Sequence, residues 1–509
     1  MSAFAQTRPS ADPRWLSDAD LGRWRACPRS QWLHRQQGDA DQARLPAPAE
    51  PDVVFGPEPE QALRASFPDA LVIPTPQTQA DWPRAVLFTA QALADPTRQT
   101  PGAAILGACV LSNDGAMARI DVLQRGEQGW RILKVRLATV ADEADVDALA
   151  LWAHVAARAG WRLQSVGMLL VDTSFMYPGL GCYAGVFREV DVGGMLGSRP
   201  VADWLVGLRR GEQGAKPAPL LGAPCTLAGG CRYLAECHAG EPPERAVDAT
   251  LSLDIVGKDL AFELRREGHV DLRSVPPERL SDARHRRALR AVQQGAPVLE
   301  PGVARLMREQ PWPRHYLRFE TIGFAVPVWA GTRPYQVLPF QWSCDVETAP
   351  GVWRSEGFLA DAQGDPRRAF ATRLLAALGR TGCVFAYNAG FERNRIRELA
   401  QQFDDLREAL EALLPRIVDL FQVARTHYYH PAQAGSWSAK TVFGIIAPEL
   451  HVERLARRVE GAPLLAFAQS LQRGLPADER ERLRSALQDH GRRRTEALRR
   501  MVALFEAAT

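Results

Sequence analysis

Apolar and polar positions alternate in two separate blocks along the chain, and each block spells the same succession of elements. From about residue 104 come three strand-like runs, AILGACVLS, MARIDVLQR and WRILKVRLAT, broken by Asp114-Gly115 and by the stretch from Gly126 to Gly129. Tight turns suit such breaks, so the runs predict a meander. An Ala-rich segment, DEADVDALALWAHVAARAG, then shifts to helical period and stops at Gly160, and LQSVGMLLVD returns to strand. After Pro313 the succession repeats. HYLRFETIGFAV, YQVLPFQWSCDVE and VWRSEGFLA predict strands, DPRRAFATRLLAALG a helix opened by Asp365-Pro366 and ended by Gly379, and CVFAYNA a buried strand.

The segments around these blocks are less regular. LSDADLGRWRACPRSQWLHR predicts an N-terminal helix started by a capping box of Ser17 and Asp20. Residues 36–52, polar and rich in Ala and Pro, predict a loop, and residues 240–310 are charged and helical in pattern without a strong strand. The last helix, ADERERLRSALQDHGRRRTEALRRMVALFEA, is expected to be interrupted at Gly491. No fixed-period repeat is present.

At 509 residues the chain is long enough for two domains. Its 62 basic and 59 acidic side chains leave a net charge of only +3, so any basic binding surface must be local. No run of eighteen apolar residues and no signal-peptide pattern occur, which implies a cytoplasmic protein without a membrane partner. The basic clusters at 284–290 and 491–500, and Lys440, are candidates for phosphate or substrate contact, or are solvated helix faces and a loop lysine. The ten histidines show no ligand pair.

Cys225, Cys231 and Cys237 stand at spacings of six in PCTLAGGCRYLAECHAG. Three thiolates need a fourth, and Cys27 is the candidate. Four such ligands suit zinc or an iron–sulfur cluster; otherwise these are unrelated loop cysteines. Cys109, Cys182, Cys344 and Cys383 have apolar neighbours and are expected in the core.

One cysteine near the N-terminus and three downstream, bracketing the first block, resembles the RecB-like PD-(D/E)XK nucleases of the CRISPR-associated and AddB type. That resemblance implies a four-iron cluster on Cys27, Cys225, Cys231 and Cys237 that staples the two ends of the domain together. It also implies a restriction-endonuclease-like core with an acidic residue on one strand and an acidic residue and a lysine, one position apart, on the next. Asp121 fits the first position, but Lys134 stands where the second carboxylate is expected and Arg136 where the lysine is expected.

The segment from Pro313 to the end resembles an uncharacterised bacterial family that fuses such a core to a DnaQ-like, RNase H-like DEDD exonuclease domain. The matching pieces include RFETIGFAVPVWAGTRPYQVLPFQWS, YNAGFERNRIRELA, PRIVDLFQVARTHYYHPAQAGSWSAKTVFGIIAPEL and the region of Thr495 in the final helix. In that family four carboxylates hold two metal ions. Here the Asp-Phe-Glu-Thr of the first strand has become Arg318, Phe319, Glu320 and Thr321, Glu392 and Asp419 match acidic positions, and on the last helix, where the family has an Asp-Thr pair, Arg494 precedes Thr495, so a second carboxylate has become arginine. One cation about 4 Å from a divalent ion costs roughly 8 kcal/mol at an effective dielectric near 20.

The resemblance thus implies an α/β protein in three parts: 1–242 RecB-like, 243–310 a helical linker, and 311–509 RNase H-like. The replacements imply a catalytically degenerate nuclease homologue that binds nucleic acid, DNA before RNA, or holds a partner nuclease or helicase in DNA repair, processing or defence. In it Arg318 and Arg494 would pair with Glu320, Glu392 or Asp419, and Lys134 and Arg136 with Asp121. The alternatives are a nuclease using magnesium or manganese with an incomplete carboxylate set, and a protein-interaction scaffold without nucleic acid.

Overall fold

The computed structural model describes residues 15–42, 59–218, 231, 233, 249–361, 364–452, 455, 463–472 and 474–508. The chain forms two compact units, Met1–Gly240 with Phe324–Gln336 and Glu241–Gly323 with Val337–Thr509. Each is mixed α/β.

The first unit carries a six-stranded sheet in the order β1-β2-β3-β4-β5-β6. Its strands are β1 (Leu71–Val72), β2 (Ala104–Leu111), β3 (Met117–Arg125), β4 (Trp130–Arg136), β5 (Leu163–Val171) and β6 (Phe187–Asp191). β2, β3 and β4 form the expected antiparallel meander. The turn into β4 needs glycine, because a Cβ at Gly129 would stand 2.6 Å from the Arg162 carbonyl oxygen. The helix Glu143–Arg158 then returns the chain so that β5 lies parallel to β4. It starts with a capping box, in which Asp142 Oδ1 accepts the Asp145 N–H at 2.8 Å. Its Leu149, Trp152 and Val155 pack with Ile120, Ile132 and Met168 in the core.

The N-terminal capping box is also present, with Ser17 Oγ accepting the Asp20 N–H at 3.2 Å and Asp20 Oδ2 accepting the Ser17 N–H at 3.0 Å. The single helix expected there is in fact two, Asp18–Ala26 and Pro28–Gln42. Cys27 between them is extended (φ −160°, ψ 109°), as expected of a residue whose helical conformation is opposed by the following proline ring. Helical backbone also runs into the stretch expected as a loop, whose remainder, residues 43–52, lies outside the described residues. Cys182 is exposed rather than in the core, on a turn where Gly179 and Gly181 take positive φ; Cys109, Cys344 and Cys383 are buried as expected. Below this turn Tyr177 and Tyr183 stack with ring centroids 4.6 Å apart, and Val326 of the segment Phe324–Gln336 packs with them.

The second unit holds a five-stranded sheet in the order β10-β9-β8-β11-β12. Before it lies β7 (Val298–Leu299), and its strands are β8 (Arg314–Ile322), β9 (Leu338–Ala349), β10 (Val352–Leu359), β11 (Cys383–Ala386) and β12 (Ile417–Asp419). β8, β9 and β10 are antiparallel, whereas β11 is parallel to both β8 and β12. The helix Arg367–Leu378 joins β10 to β11, and Arg416 closes its end by donating to the carbonyls of Leu378 (2.8 Å), Gly379 (2.7 Å) and Gly382 (2.9 Å). The stretch expected as a helical linker belongs to this unit. There β7 pairs with β13 (Tyr428–Tyr429), and Tyr429 packs with Leu253, Leu264 and Leu289.

The C-terminal helix runs unbroken from Ala477 to Glu506, through the glycine expected to interrupt it. Gly491 is there for proximity. A Cβ on it would overlap the Ser343 hydroxyl of β9 and stand 2.9 Å from Gln341 Nε2. Gly491→Ala therefore sets a helix-propensity gain of about 1 kcal/mol against an overpacking cost of about 1–3 kcal/mol. The expected outcome in urea denaturation is net destabilisation, restored when Ser343→Gly is added; a single variant more stable than the parent would contradict the contact.

Candidate functional site

Arg318 and Glu320 are two residues apart on β8 and so project from the same face of the sheet. Glu392 sits in the first turn of the helix Gly390–Gln402, which follows β11, the strand beside β8. Arg494 comes from the C-terminal helix, which is fastened to β9 where Gln341 Nε2 donates to the Leu487 carbonyl at 2.8 Å. The four side chains meet. Arg494 Nη1 lies 2.9 Å from Glu320 Oε1, Arg318 Nε 3.5 Å from the same oxygen, and Arg318 Nη1 3.4 Å from Glu392 Oε1.

Two cations and two carboxylates make this cluster formally neutral. Burial opposes the charge on Glu320, but Arg494 and Arg318 outweigh it and hold the carboxyl below its ordinary range. Glu392 is fully buried, and burial pushes its carboxyl up to about 7 despite Arg318. Its Oε2 has no hydrogen-bond partner among the described residues. The third acid expected to pair with these arginines does not. Asp419 caps the helix Leu420–His427, its Oδ1 accepting the N–H of Phe421 and that of Asn388, each at 3.0 Å. Its backbone contacts fix the loop after β11, where Asn388 takes a left-handed φ of 61°.

In the first unit the expected partnership of Asp121 with Lys134 and Arg136 holds only in part: Lys134 lies close enough to act on the Asp121 carboxyl, but all three side chains make their closest contacts elsewhere. The β3–β4 ladder ends at Val122 and Leu133, and Asp121 Oδ2 accepts the Val135 N–H at 2.8 Å, supplying the hydrogen bond the ladder no longer gives. Burial pushes the Asp121 carboxyl up, against the pull of that N–H and of Lys134. Lys134 Nζ instead lies 3.7 Å from Asp18 Oδ2 and 4.5 Å from the centre of the Trp152 ring. Arg136 binds the helix-capping pair, its Nε 2.9 Å from Asp145 Oδ2. Asp18 and Trp152 carry no local sequence signal for these roles, since only the tertiary packing brings them to Lys134.

Of the four candidate metal cysteines, Cys225 and Cys237 lie outside the described residues. Cys27 and Cys231 are half-buried thiols. Cys231 packs with Tyr233, Trp32 and Leu33, the last two on the helix that begins directly after Cys27. Among the described residues no group of three or more His, Cys, Asp or Glu side chains is placed to hold a metal ion.

The basic clusters are largely engaged within the chain. Arg284 pairs with Asp282, Arg287 and Arg290 with Glu300, Arg492 with Asp489, and Arg499 and Arg500 with Glu496. Lys440 is exposed at the second position of the helix Ala439–Ile446 rather than in a loop.

Residues 315–438 match a family described as a domain of unknown function (DUF2779). The match holds Arg318, Glu320, Glu392 and Asp419 and stops before Arg494. No curated protein matches the chain.

The geometry separates the two kinds of acid. Glu320→Ala strands two guanidiniums and is expected to cost about 3 kcal/mol, the lower end for a broken buried pair, because both arginines keep some exposure. Asp419→Ala removes a helix cap and is expected to cost about 1 kcal/mol. Urea denaturation of both variants checks this; equal costs would mean that Glu320 is not the hub of the cluster.

Proposed function

We propose that this chain is a nuclease homologue that no longer cleaves phosphodiesters and acts by holding nucleic acid, DNA in preference to RNA. The observation that carries the reading is the meeting of Arg318, Glu320, Glu392 and Arg494, three of which stand at or near positions where the resembling exonucleases carry metal-binding carboxylates. Where those proteins need negative charge for two divalent ions, this chain supplies two guanidiniums. The opposing charge disfavours magnesium and manganese by several kcal/mol per arginine. A meander, a crossover helix and a parallel strand in each unit are consistent with a RecB-like and an RNase H-like core.

Incubation with magnesium or manganese should leave single-stranded DNA, duplex DNA and RNA uncut. Binding to DNA should weaken steeply with salt, as counterion release requires. Cleavage abolished by Glu320→Gln would overturn the loss of catalysis. Absence of salt-dependent binding would overturn the nucleic-acid part and leave a protein scaffold, the reading that the internally paired arginines would then favour.

The same reading assigns Cys27, Cys225, Cys231 and Cys237 to a four-iron cluster, with zinc as the alternative. The packing of Cys231 on the helix that follows Cys27 supports it, because it ties the far end of the first core to its beginning. The role is structural, so these thiolates would join the chain's ends rather than handle substrate. Anaerobically purified protein should contain iron and sulfide and absorb visible light, and Cys231→Ser should lower both the iron content and the melting temperature. Zinc without iron would select the alternative, and neither metal would sink both.

A further inference from the structure

β10 ends the five-stranded sheet, so along its outer side the backbone groups have no neighbouring strand. Which residues face that side follows from the ladder. The Ala360 N–H donates to the Phe340 carbonyl at 2.8 Å, directly across the antiparallel pair with β9. By alternation Arg354, Glu356 and Phe358 bond inward to β9, whereas Trp353, Ser355, Gly357 and Leu359 turn their N–H and carbonyl groups outward. This outward row is bounded at both ends. Arg484 Nη2 donates to the Leu359 carbonyl at 3.4 Å, and the register shifts between Val352 and Trp353. Among the described residues the stretch left open is Trp353–Gly357, with Ser355 at its centre.

The charges on this stretch are self-complementary. Arg354 and Glu356 project from one face of the strand, with Arg354 Nε 2.7 Å from Glu356 Oε1. A second copy of the strand, turned end for end about Ser355, would set Arg354 opposite Glu356 and Glu356 opposite Arg354. These are the closer, non-hydrogen-bonded positions, where Cα atoms stand about 4.5 Å apart. Each charge then meets its opposite along its own strand and again across the pair. On the other face Trp353 would lie opposite Gly357, which has no side chain to collide with the indole. Ser355 is no obstacle, because its Oγ donates inward to Asp345 Oδ1 of β9 at 2.6 Å.

Other registers are opposed. Sliding the second strand by two residues sets Arg354 opposite Arg354, or Glu356 opposite Glu356, and like charges directly opposite destabilise a sheet. Charged side chains on an edge ordinarily keep other strands away. An Arg and a Glu in this order repel most strands but welcome one that carries the reverse order, which this chain itself supplies.

We propose that β10 is a docking edge for a second copy of this chain, the two strands pairing antiparallel about Ser355 so that their sheets join. A two-fold axis occupies both β10 edges at once, so this contact closes at a dimer.

The test follows the full chain by sedimentation velocity over a concentration series. The parent should dimerise. Arg354→Glu and Glu356→Arg each set like charges across the two-fold axis and should each weaken the dimer about tenfold or more. Neither side chain is buried, so both variants should keep the parent's melting temperature, which shows that they fold. Mixing the two variants should restore association, because a strand with two acids then faces a strand with two arginines. Within each of those strands the charges are alike, so the recovery can come only from across the pair. A parent that stays monomeric overturns the proposal. So does a dimer that either reversal leaves unchanged, since it must form through another surface, and so do variants that separate but fail to recover on mixing.

Discussion

Opposite charges gathered by strands far apart in sequence are the constraint around which the second unit is arranged. β8 supplies Arg318 and Glu320, the turn after β11 brings Glu392 beside them, and a helix more than a hundred residues on delivers Arg494. A sheet in the order β10-β9-β8-β11-β12 puts β8 and β11 next to each other, so whatever charges these positions carry must be reconciled at short range. In a site built to hold metal, ions do that. Here guanidiniums do it, and the cluster can be neutral without a ligand.

The first unit meets a similar demand differently. Asp121 serves the backbone where two strands part and still feels the charge of Lys134, while Lys134 and Arg136 make their ion pairs with acids that belong to helix starts. Such local uses stabilise the edges of elements.

Most of the fold was legible because period and punctuation agree. The strands from 104 to 136, the helices that follow each meander and the capping box at Ser17 stand where alternation and turn residues put them, and in the second block the expected runs overshoot, since β8 ends at Ile322 and β9 begins at Leu338. The failures have a common cause. Gly491 looked like a helix breaker and is a point of close approach, and Cys182 looked apolar by its neighbours and faces solvent, since tertiary neighbours rather than local composition decided both. Pro28 did carry a local signal, the restriction on the residue before it, which splits the N-terminal helix at Cys27. At the site, sequence named the four charged residues that meet, but it could not tell that Asp419 would be spent on a helix start.

Chain order adds a temporal consequence to the segment Phe324–Gln336, which is grouped with the first unit although strands of the second flank it on both sides. During synthesis the first unit emerges early, yet Val326, which packs with the Tyr177–Tyr183 stack, leaves the ribosome only after β8. Translation must therefore proceed well past the apparent boundary at Gly240 before the earlier half can mature, and a gene cut there would yield a product lacking part of its own interior.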